Sequence, residues 1–313
     1  MASRPTIVDV AAAAGVAVGT ASNALSGKGR VSAATRARVA KVAADLAFVP
    51  HRAARGLPTG RTMSIGLRFG HDATIPGGDF FIELLDAAAG AADKSGYGLL
   101  IRRSGRPETD LVDAHIVVDP TESDKLAGAQ HGVPVVTVGR NRTPSVPWVD
   151  VDHEAAMQTL LGHLSDRADD GPAWFVALPQ HLGFVDALED AFQVWVSGEG
   201  RESQVLRSPD APHEVVDLVQ RQIAESGKPA MIVTALDRQA VGVQYALTAA
   251  GLTVPIGSAS DGEALGLIAP PVSAMSLDGA AHGRTAVRML LDWIRTDEVP
   301  QSQLLPARLR ARR

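Results

Sequence analysis

From Met63 onward, short apolar runs alternate with amphipathic stretches of helical length, and this alternation restricts the fold more than any other feature of the chain. Ser64-Ile65-Gly66-Leu67 reads as a strand, Phe80 to Ser95 as an amphipathic helix and, after Gly96, Tyr97 to Ile101 as the next strand. Ala114–Val118, Val133–Val138, Ala173–Leu178 and Ala230–Thr234 continue the series, with helical stretches such as Val215–Glu225 and Arg238–Ala250 beside them. Alternating strands and helices predict parallel sheets with helices on both faces. Residues 61 to 313 accommodate two such sheets with a cleft between them, and no tandem repeat or long low-complexity tract interrupts them.

The first 60 residues follow a different pattern. Thr6 is placed to cap a helix, with Asp9 three positions on near the positive helix end. Ile7, Val10, Ala11 and Ala14 form an apolar stripe at helical spacing, and Gly15 stops it by accepting the left-handed backbone of a tight turn. A second helix runs through Val18, Ala21, Ala24 and Leu25 and breaks at Ser26-Gly27-Lys28-Gly29. Ser32 caps a third, with Val39, Val42, Ala43 and Leu46 on one side, and Pro50 ends the run. His51 to Gly60 is a linker whose short helix is marginal alone, the more so for Gly56.

Charge separates the two parts. The chain carries a net charge of −5, yet residues 1–60 hold eight Lys/Arg against two acids, and the remainder 22 against 33. A basic module on an acidic body suggests a polyanion partner for the first module, the alternative being a chance basic face. No apolar run reaches the length of a membrane span, and Met1 to Pro5 lacks the apolar centre of a secretory signal. With no cysteine, the chain has no disulfide, no thiolate metal site and no cysteine nucleophile. The nine histidines are scattered without metal-site spacing, so no metal and no cofactor is expected. A cytoplasmic location fits these features.

Several ordered segments carry a resemblance. They are Thr6-Ile7-Val8-Asp9-Val10-Ala11, Ala14-Gly15-Val16, Thr20-Ala21-Ser22-Asn23-Ala24-Leu25, Val31-Ser32 with Thr35-Arg36, and Phe48-Val49-Pro50 with Ala53-Ala54-Arg55-Gly56-Leu57. Together they resemble the headpiece of the LacI family of bacterial regulators. Weaker marks extend the likeness along the body: Ile65-Gly66-Leu67, Asp79-Phe80-Phe81, Gly132 to Val136, Gly183-Phe184, Asp237 with Val241-Gly242, and Leu305-Pro306. The resemblance implies a small all-α helix-turn-helix headpiece (residues 1–49), a hinge (50–61) and a two-lobed α/β core like a periplasmic binding protein (62–313). It also implies a homodimer on pseudo-palindromic operator DNA, a small-molecule effector, sugar-like, in the interlobe cleft, and no enzymatic activity. Repression is the expected mode, since a dimer on a promoter occludes polymerase; activation stays open.

In such a headpiece the second helix enters the major groove while the first crosses the backbone. Its groove-side residues here would be Val18, Gly19, Ser22 and Asn23. Asn pairs with adenine, Ser bonds several bases and Val meets a thymine methyl. Gly19 offers no side chain, so Arg30 is a further candidate reader. Ala17 stands where the family usually has serine, forfeiting an N-cap worth roughly 0.5–2 kcal/mol. Thr6, Ser32, Thr35 and Arg36 are candidate phosphate contacts, Thr6 and Ser32 doubling as caps or serving as caps alone. Thr20, His51 and Ala54 join the DNA-contacting set by the same resemblance. Leu57 matches the hinge leucine that wedges into the minor groove, with a plain linker residue as its alternative. Gly56 and Pro58 weaken that helix, so it is expected to fold only on DNA.

For the cleft, family position points to Phe80, Phe81, Arg140, Gln180, Phe184, Asp237 and Asp261. Carboxylates accept sugar hydroxyls and aromatic rings cover apolar sugar faces. Each has an ordinary alternative: Phe80 and Phe81 as helix-start core, Asp237 as an N-cap, Asp261 and Asp152 as loop acids, Arg140 as a solvated charge. Gln180 replaces a common arginine, which puts the usual sugar ligand in question. The stretch from Arg102 to Val112 is short for the helix expected there. Trp148, Trp174 and Trp195 read as core or interface. Neither a phosphate-cradling glycine loop nor a nucleophile elbow nor a paired-histidine helix is present, which disfavours an enzyme. A solute receptor would suit the body but not the basic first 60 residues. No leucine-heptad tail supports a tetramerising coiled coil.

Overall fold

The computed structural model describes residues 5–27, 29–48, 60–70, 78–102, 112–121, 133–141 and 145–312, and the chain divides into two compact units, Met1–Met63 and Ser64–Arg313. The first unit contains α1 (Ile7–Ala14), α2 (Val18–Ser26) and α3 (Ala33–Asp45). Thr6 and Asp9 cap α1 reciprocally: the Thr6 oxygen accepts from the Asp9 amide, and the Asp9 carboxylate accepts from the Thr6 amide at 2.7 Å. Those donors hold the Asp9 carboxyl below its usual range. Gly15 adopts φ 63°, ψ 41°, and the chain bends by 102° into α2. Ala17 opens α2 with no side-chain cap, whereas the Ser32 oxygen accepts from the Thr35 amide at 3.1 Å to open α3. Val10, Ala21 and Val39 are fully buried among Ala11, Ala14, Ala24 and Ala43. These small side chains let three short helices approach closely around a small core.

The second unit is built on two six-stranded sheets. The first contains β1 (Ser64–Phe69), β2 (Gly98–Arg102), β3 (Ala114–Val118), β4 (Val135–Val138), β5 (Trp148–Val151) and β11 (Gln303–Leu305) in the order β11-β5-β4-β3-β1-β2. All of its pairings are parallel. The second contains β6 (Ala173–Ala177), β7 (Ser203–Arg207), β8 (Met231–Thr234), β9 (Ile256–Ser258), β10 (Ser273–Ser276) and β12 (Arg308–Arg310) in the order β12-β10-β9-β8-β6-β7. Only β12 pairs antiparallel there, against β10. The sequence predicts β1, β2, β3, β4, β6 and β8 to within two residues; it does not reveal β5, β7 or β10, nor β9, β11 and β12, each three residues long. The rim between Arg102 and Val112, expected to be changed, falls in residues 103–111, outside the described residues.

Helices cover the sheets as the alternation requires. They are α4 (Asp79–Lys94), α5 (His153–Ser165), α6 (Gly183–Gly198), α7 (Pro212–Ser226), α8 (Asp237–Ala249) and α9 (Gly279–Thr296). In β6 the strand period of two separates the faces. Phe175 packs with Met157 of α5 and Phe192 of α6, whereas Trp174 packs with Val215 of α7 and Val243 of α8. Trp174 is therefore core, as is the half-buried Trp195 beside the first of these clusters. Asp152 is not a free loop acid: its carboxylate caps α5 by accepting from the Ala155 amide at 3.0 Å.

The chain passes between the two lobes three times, after β5, after β10 and after β11. The second passage delivers α9 from a strand of the second sheet onto the first lobe, where it packs along α4 and over β3, β4 and β5. The two helices approach backbone to backbone. A Cβ on Gly279 would collide with the Phe80 carbonyl, and one on Gly283 would collide with the Leu84 carbonyl.

This contact gives a clear contrast between two glycines. Gly283→Ala should destabilise the core unit by about 1–3 kcal/mol, because the overpacked Cβ forces α4 and α9 apart. Gly90→Ala, on an exposed turn of α4 where a Cβ meets nothing within 4 Å, should stabilise it by about 0.5–1 kcal/mol. Denaturant unfolding of both variants measures the two signs, and equal effects would remove the close-approach argument.

Candidate nucleic-acid interface and ligand cleft

The exposed side of α2 carries the candidate readers. Ala21 and Ala24 point into the headpiece core, which leaves Val18, Gly19, Ser22 and Asn23 on the open face. Val18 is 44% exposed, a large apolar side chain held in water. A Cβ on Gly19 would meet nothing within 4 Å, so the space before this helix is free. Thr20 is half-buried at the edge of the face, and Arg30 is exposed beyond α2. Asn23 lies against the turn, since a Cβ on Gly29 would come 3.1 Å from its amide nitrogen.

The candidate phosphate contacts lie near helix starts. The Thr6 hydroxyl also donates to Asp9 at 2.7 Å, and the hydroxyls of Ser32 and Thr35 bond each other at 2.8 Å. Thr6 and Ser32 are therefore caps, and both remain exposed. Thr35 and Arg36 are half-buried on the first turn of α3. His51, Ala54 and Leu57 lie outside the described residues.

The second site lies between the two sheets, a cleft of roughly 700 Å³ including its solvent-open part. It forms where parallel strands end, the place an open α/β sheet offers for ligands. From the first lobe come Asp79, Phe80 and Phe81 at the start of α4, Asp119 after β3, Gly139 after β4, and Asp150 at the end of β5. The second lobe supplies Phe184 on α6, Asp237 after β8, and Ser260 and Asp261 after β9. His153 and His282, at the starts of α5 and α9, stand beside two of the crossings.

The expected residues fare differently. Phe80 is half-buried in the wall, with its ring edge-on to His282 at 5.1 Å and to Phe81 at 5.3 Å. Phe81 is buried and set edge-on to Phe69 at 5.8 Å, so it is mainly core with one side on the cleft. Phe184 tilts over His153 at 6.1 Å. Asp237 is the first residue of α8 and not its cap; its amide donates to the Ser260 hydroxyl at 2.9 Å. Asp261 reaches the cleft, but its two oxygens bind Arg312 at 2.7 Å and Arg310 at 2.8 Å, so it is no free acceptor for hydroxyls. Gln180 is exposed and absent from the lining. Arg140 is also outside the lining: its guanidinium lies over the Trp148 ring at 5.3 Å and pairs with Asp150 at 3.6 Å.

Among the polar lining residues, Asp119, Asp150, His153, Ser260 and His282 escape the sequence reading. Asp150 is buried, accepts from the Val151 amide at 2.8 Å and the Arg140 amide at 3.2 Å, and bonds His153 Nε2 at 2.9 Å. Asp119 holds a left-handed backbone, φ 48°, directly after β3. Burial, reinforced by the Asp150 charge, pushes its carboxyl up to about 7. Burial, with the Asp79 charge behind it, also raises Asp237, although amides of α8 counter part of the effect. Burial lowers His282, whose Nδ1 donates to the Asp278 carbonyl at 2.9 Å. The one available signal was position, since Asp119 and Ser260 lie just after strands, Asp150 at the end of one, and His153 and His282 in the first turn of a helix. Among the described residues no group of three or more His, Asp or Glu could hold a metal.

Comparison with known proteins bears on both parts of the chain. Residues 6–51 match the model of bacterial regulatory proteins of the lacI family, and residues 175–313 that of a periplasmic binding protein-like domain. The HTH-type transcriptional regulator CelR of Thermobifida fusca is 27% identical, over 93% of this chain and 92% of the relative. The ribose operon repressor of Bacillus subtilis (strain 168) is 28% identical, over 96% and 94%. Among solved structures, the lac repressor dimer bound to operator and the anti-inducer ONPF superposes with a TM-score of 0.84 at 22% identity, covering 99% of this chain and 98% of that one. A CelR–cellobiose complex gives 0.72 at 22% identity, covering 99% of both chains. At such identity the two structures show a shared fold.

The raised Asp119 carboxyl has a thermodynamic signature. Its folded value, about 7, stands above the unfolded value of about 3.9. Between the two the folded chain keeps a proton that the unfolded chain has lost, so this group's contribution to stability falls as pH rises through that window. Asp119→Asn cannot ionise, and its stability relative to the parent should therefore increase from pH 5 to pH 8. Chemical denaturation at both values decides the point, and a difference that stays constant would refute the assignment.

Proposed function

The chain belongs to the lacI family of bacterial regulatory proteins, and from that premise we propose that it is a transcription repressor whose DNA affinity is set by a small molecule in the interlobe cleft. The exposed face of α2 carries the proposal. A capped three-helix unit presents Val18, Ser22 and Asn23 on one open surface, which is what a major-groove reader needs. We divide the chain into a headpiece (1–49), a hinge (50–61) and an effector-binding, dimerising core (62–313); the two compact units support this division. A homodimer would pair two headpieces on a pseudo-palindromic operator, since two-fold protein symmetry imposes it on the site. Arg30, Thr35 and Arg36 would fix register through phosphates, and Thr20, His51 and Ala54 would complete the contact set.

The cleft is read as a binding site, with no enzymatic step assigned to it. CelR forms a complex with cellobiose, and one relative is named for the ribose operon, so a sugar or related metabolite is the effector class proposed here. Phe80 and Phe184 would cover its apolar faces, with Asp237 accepting hydroxyls. Such a protein would work in the bacterial cytoplasm, and among the described residues no single helix is long and apolar enough to cross a membrane.

Selection of operator from random DNA, followed by footprinting, tests the reading. The selected site should be a pseudo-palindrome, and its affinity should fall linearly with the logarithm of salt concentration as counterions are released. Asn23→Ala should cost about 1–3 kcal/mol on that site. Leu57→Ala should weaken operator binding while sparing nonspecific binding, if the hinge leucine wedges the minor groove. A site without two-fold symmetry, or one indifferent to salt, would count against a dimeric groove reader.

A further inference from the structure

The polar groups of the cleft are unequally partnered, and the inequality narrows the effector; this inference rests on the cleft being the effector site. Five carboxylates line it, and three already have partners. Asp150 has His153 and Arg140, Asp261 has Arg310 and Arg312, and Asp79 accepts from the Glu263 amide at 2.7 Å across the mouth. The Asp119 carboxyl group makes no hydrogen bond or ion pair among the described residues, its amide alone donating to the Val138 carbonyl at 2.8 Å. Asp237 bonds only Ser260 and nearby amides, and no side-chain cation pairs with it. Among the described residues no Lys or Arg appears in the lining.

His282 adds a second, independent observation. The ring is only 2% exposed and lines the cleft. Because Nδ1 donates to a carbonyl, the neutral ring presents Nε2 as an acceptor, and Nε2 has no partner among the described residues. The ring of Phe80 stands beside it, and the face of an aromatic ring also attracts positive charge. The unsatisfied groups are thus two carboxylates, an imidazole acceptor and aromatic faces. They are complementary to a donor-rich cation and repel an anion.

We infer that the effector is a compact, hydroxylated molecule bearing a protonated amine, of the amino-sugar class, whose ammonium is held by Asp237 and whose remaining donors face Asp119 and His282. Sugar phosphates and sugar acids are disfavoured by the same groups. A cation beside Asp237 would also relieve the burial that now raises its carboxyl.

Matched probes test this on the full-length protein. Thermal shift and calorimetry are run with D-glucosamine and D-galactosamine, with D-glucose, D-galactose and N-acetyl-D-glucosamine as neutral partners, and with D-glucose 6-phosphate as the anion. Each amine should bind at least about tenfold tighter than its neutral partner, and Asp237→Asn should weaken amine binding more than neutral-sugar binding and so remove that advantage. Asp119→Asn, which removes an ionisable cleft group but keeps an acceptor oxygen and leaves Asp237 untouched, should weaken amine binding less. Equal or tighter binding of the neutral or anionic partners overturns the inference, as does the absence of binding by either amine. If neutral sugars bind and Phe80→Ala abolishes that binding, the cleft remains the effector site and only the amine assignment falls. Binding that survives both Phe80→Ala and Asp237→Asn lies outside the cleft, and the effector-site reading falls with it.

Discussion

The backbone contact between α4 and α9 is the constraint on which the core depends. α9 leaves the second sheet at Ser276 and completes the first lobe, so neither lobe is an independent body. Gly279 and Gly283 permit the approach because any side chain there would strike a carbonyl of α4. The start of that same pair of helices carries Phe80 and His282, edge to face across one wall of the cleft. Ligand contact and lobe packing therefore share one joint. A molecule that displaces Phe80 acts on the first turn of α4 and, through Gly279, on the helix that joins the lobes.

The charges of the core are arranged in layers around that joint. Arg140 stays outside the lining, stacked on Trp148, and stiffens Asp150 through its amide and its guanidinium. Asp150 in turn orients His153, and its charge adds to the burial that raises the Asp119 carboxyl. On the other lobe the last strand brings Arg310 and Arg312 against Asp261. Of the cleft carboxylates, Asp150 and Asp261 are thus paired with cations, and Asp119 and Asp237 are not.

The headpiece was largely legible because its signals are local. Thr6 with Asp9, Gly15, and Ser32 with Thr35 each act within a few residues, and each performs the capping or turning role their chemistry suggests. The alternation from Met63 onward likewise exposed two parallel sheets. The cleft was legible only in part. Phe80, Phe184 and Asp237 could be placed by resemblance, but Asp119, the pair Asp150 and His153, and His282 come from three separate parts of the chain that only the folded sheets bring together. Gln180 was misplaced for the same reason: three residues before Gly183 it faces solvent, and distance along the chain says nothing about which way a loop turns. The strands β5, β7 and β10 were not read from the sequence either, and the three residues of β9, β11 and β12 carry no measurable period.

The strand order has a consequence for how the molecule is made. Each sheet takes an edge strand from residues 303–310, β11 for the first and β12 for the second. A ribosome therefore delivers the three-helix unit complete within its first few dozen residues, while both lobes wait for the last segment of the core. Helical contacts close in sequence form early, and distant parallel pairings form late. During synthesis the nascent chain would expose a finished DNA-binding unit ahead of an unfinished sensor, so the interval before the core closes is a window in which the reader exists without its control.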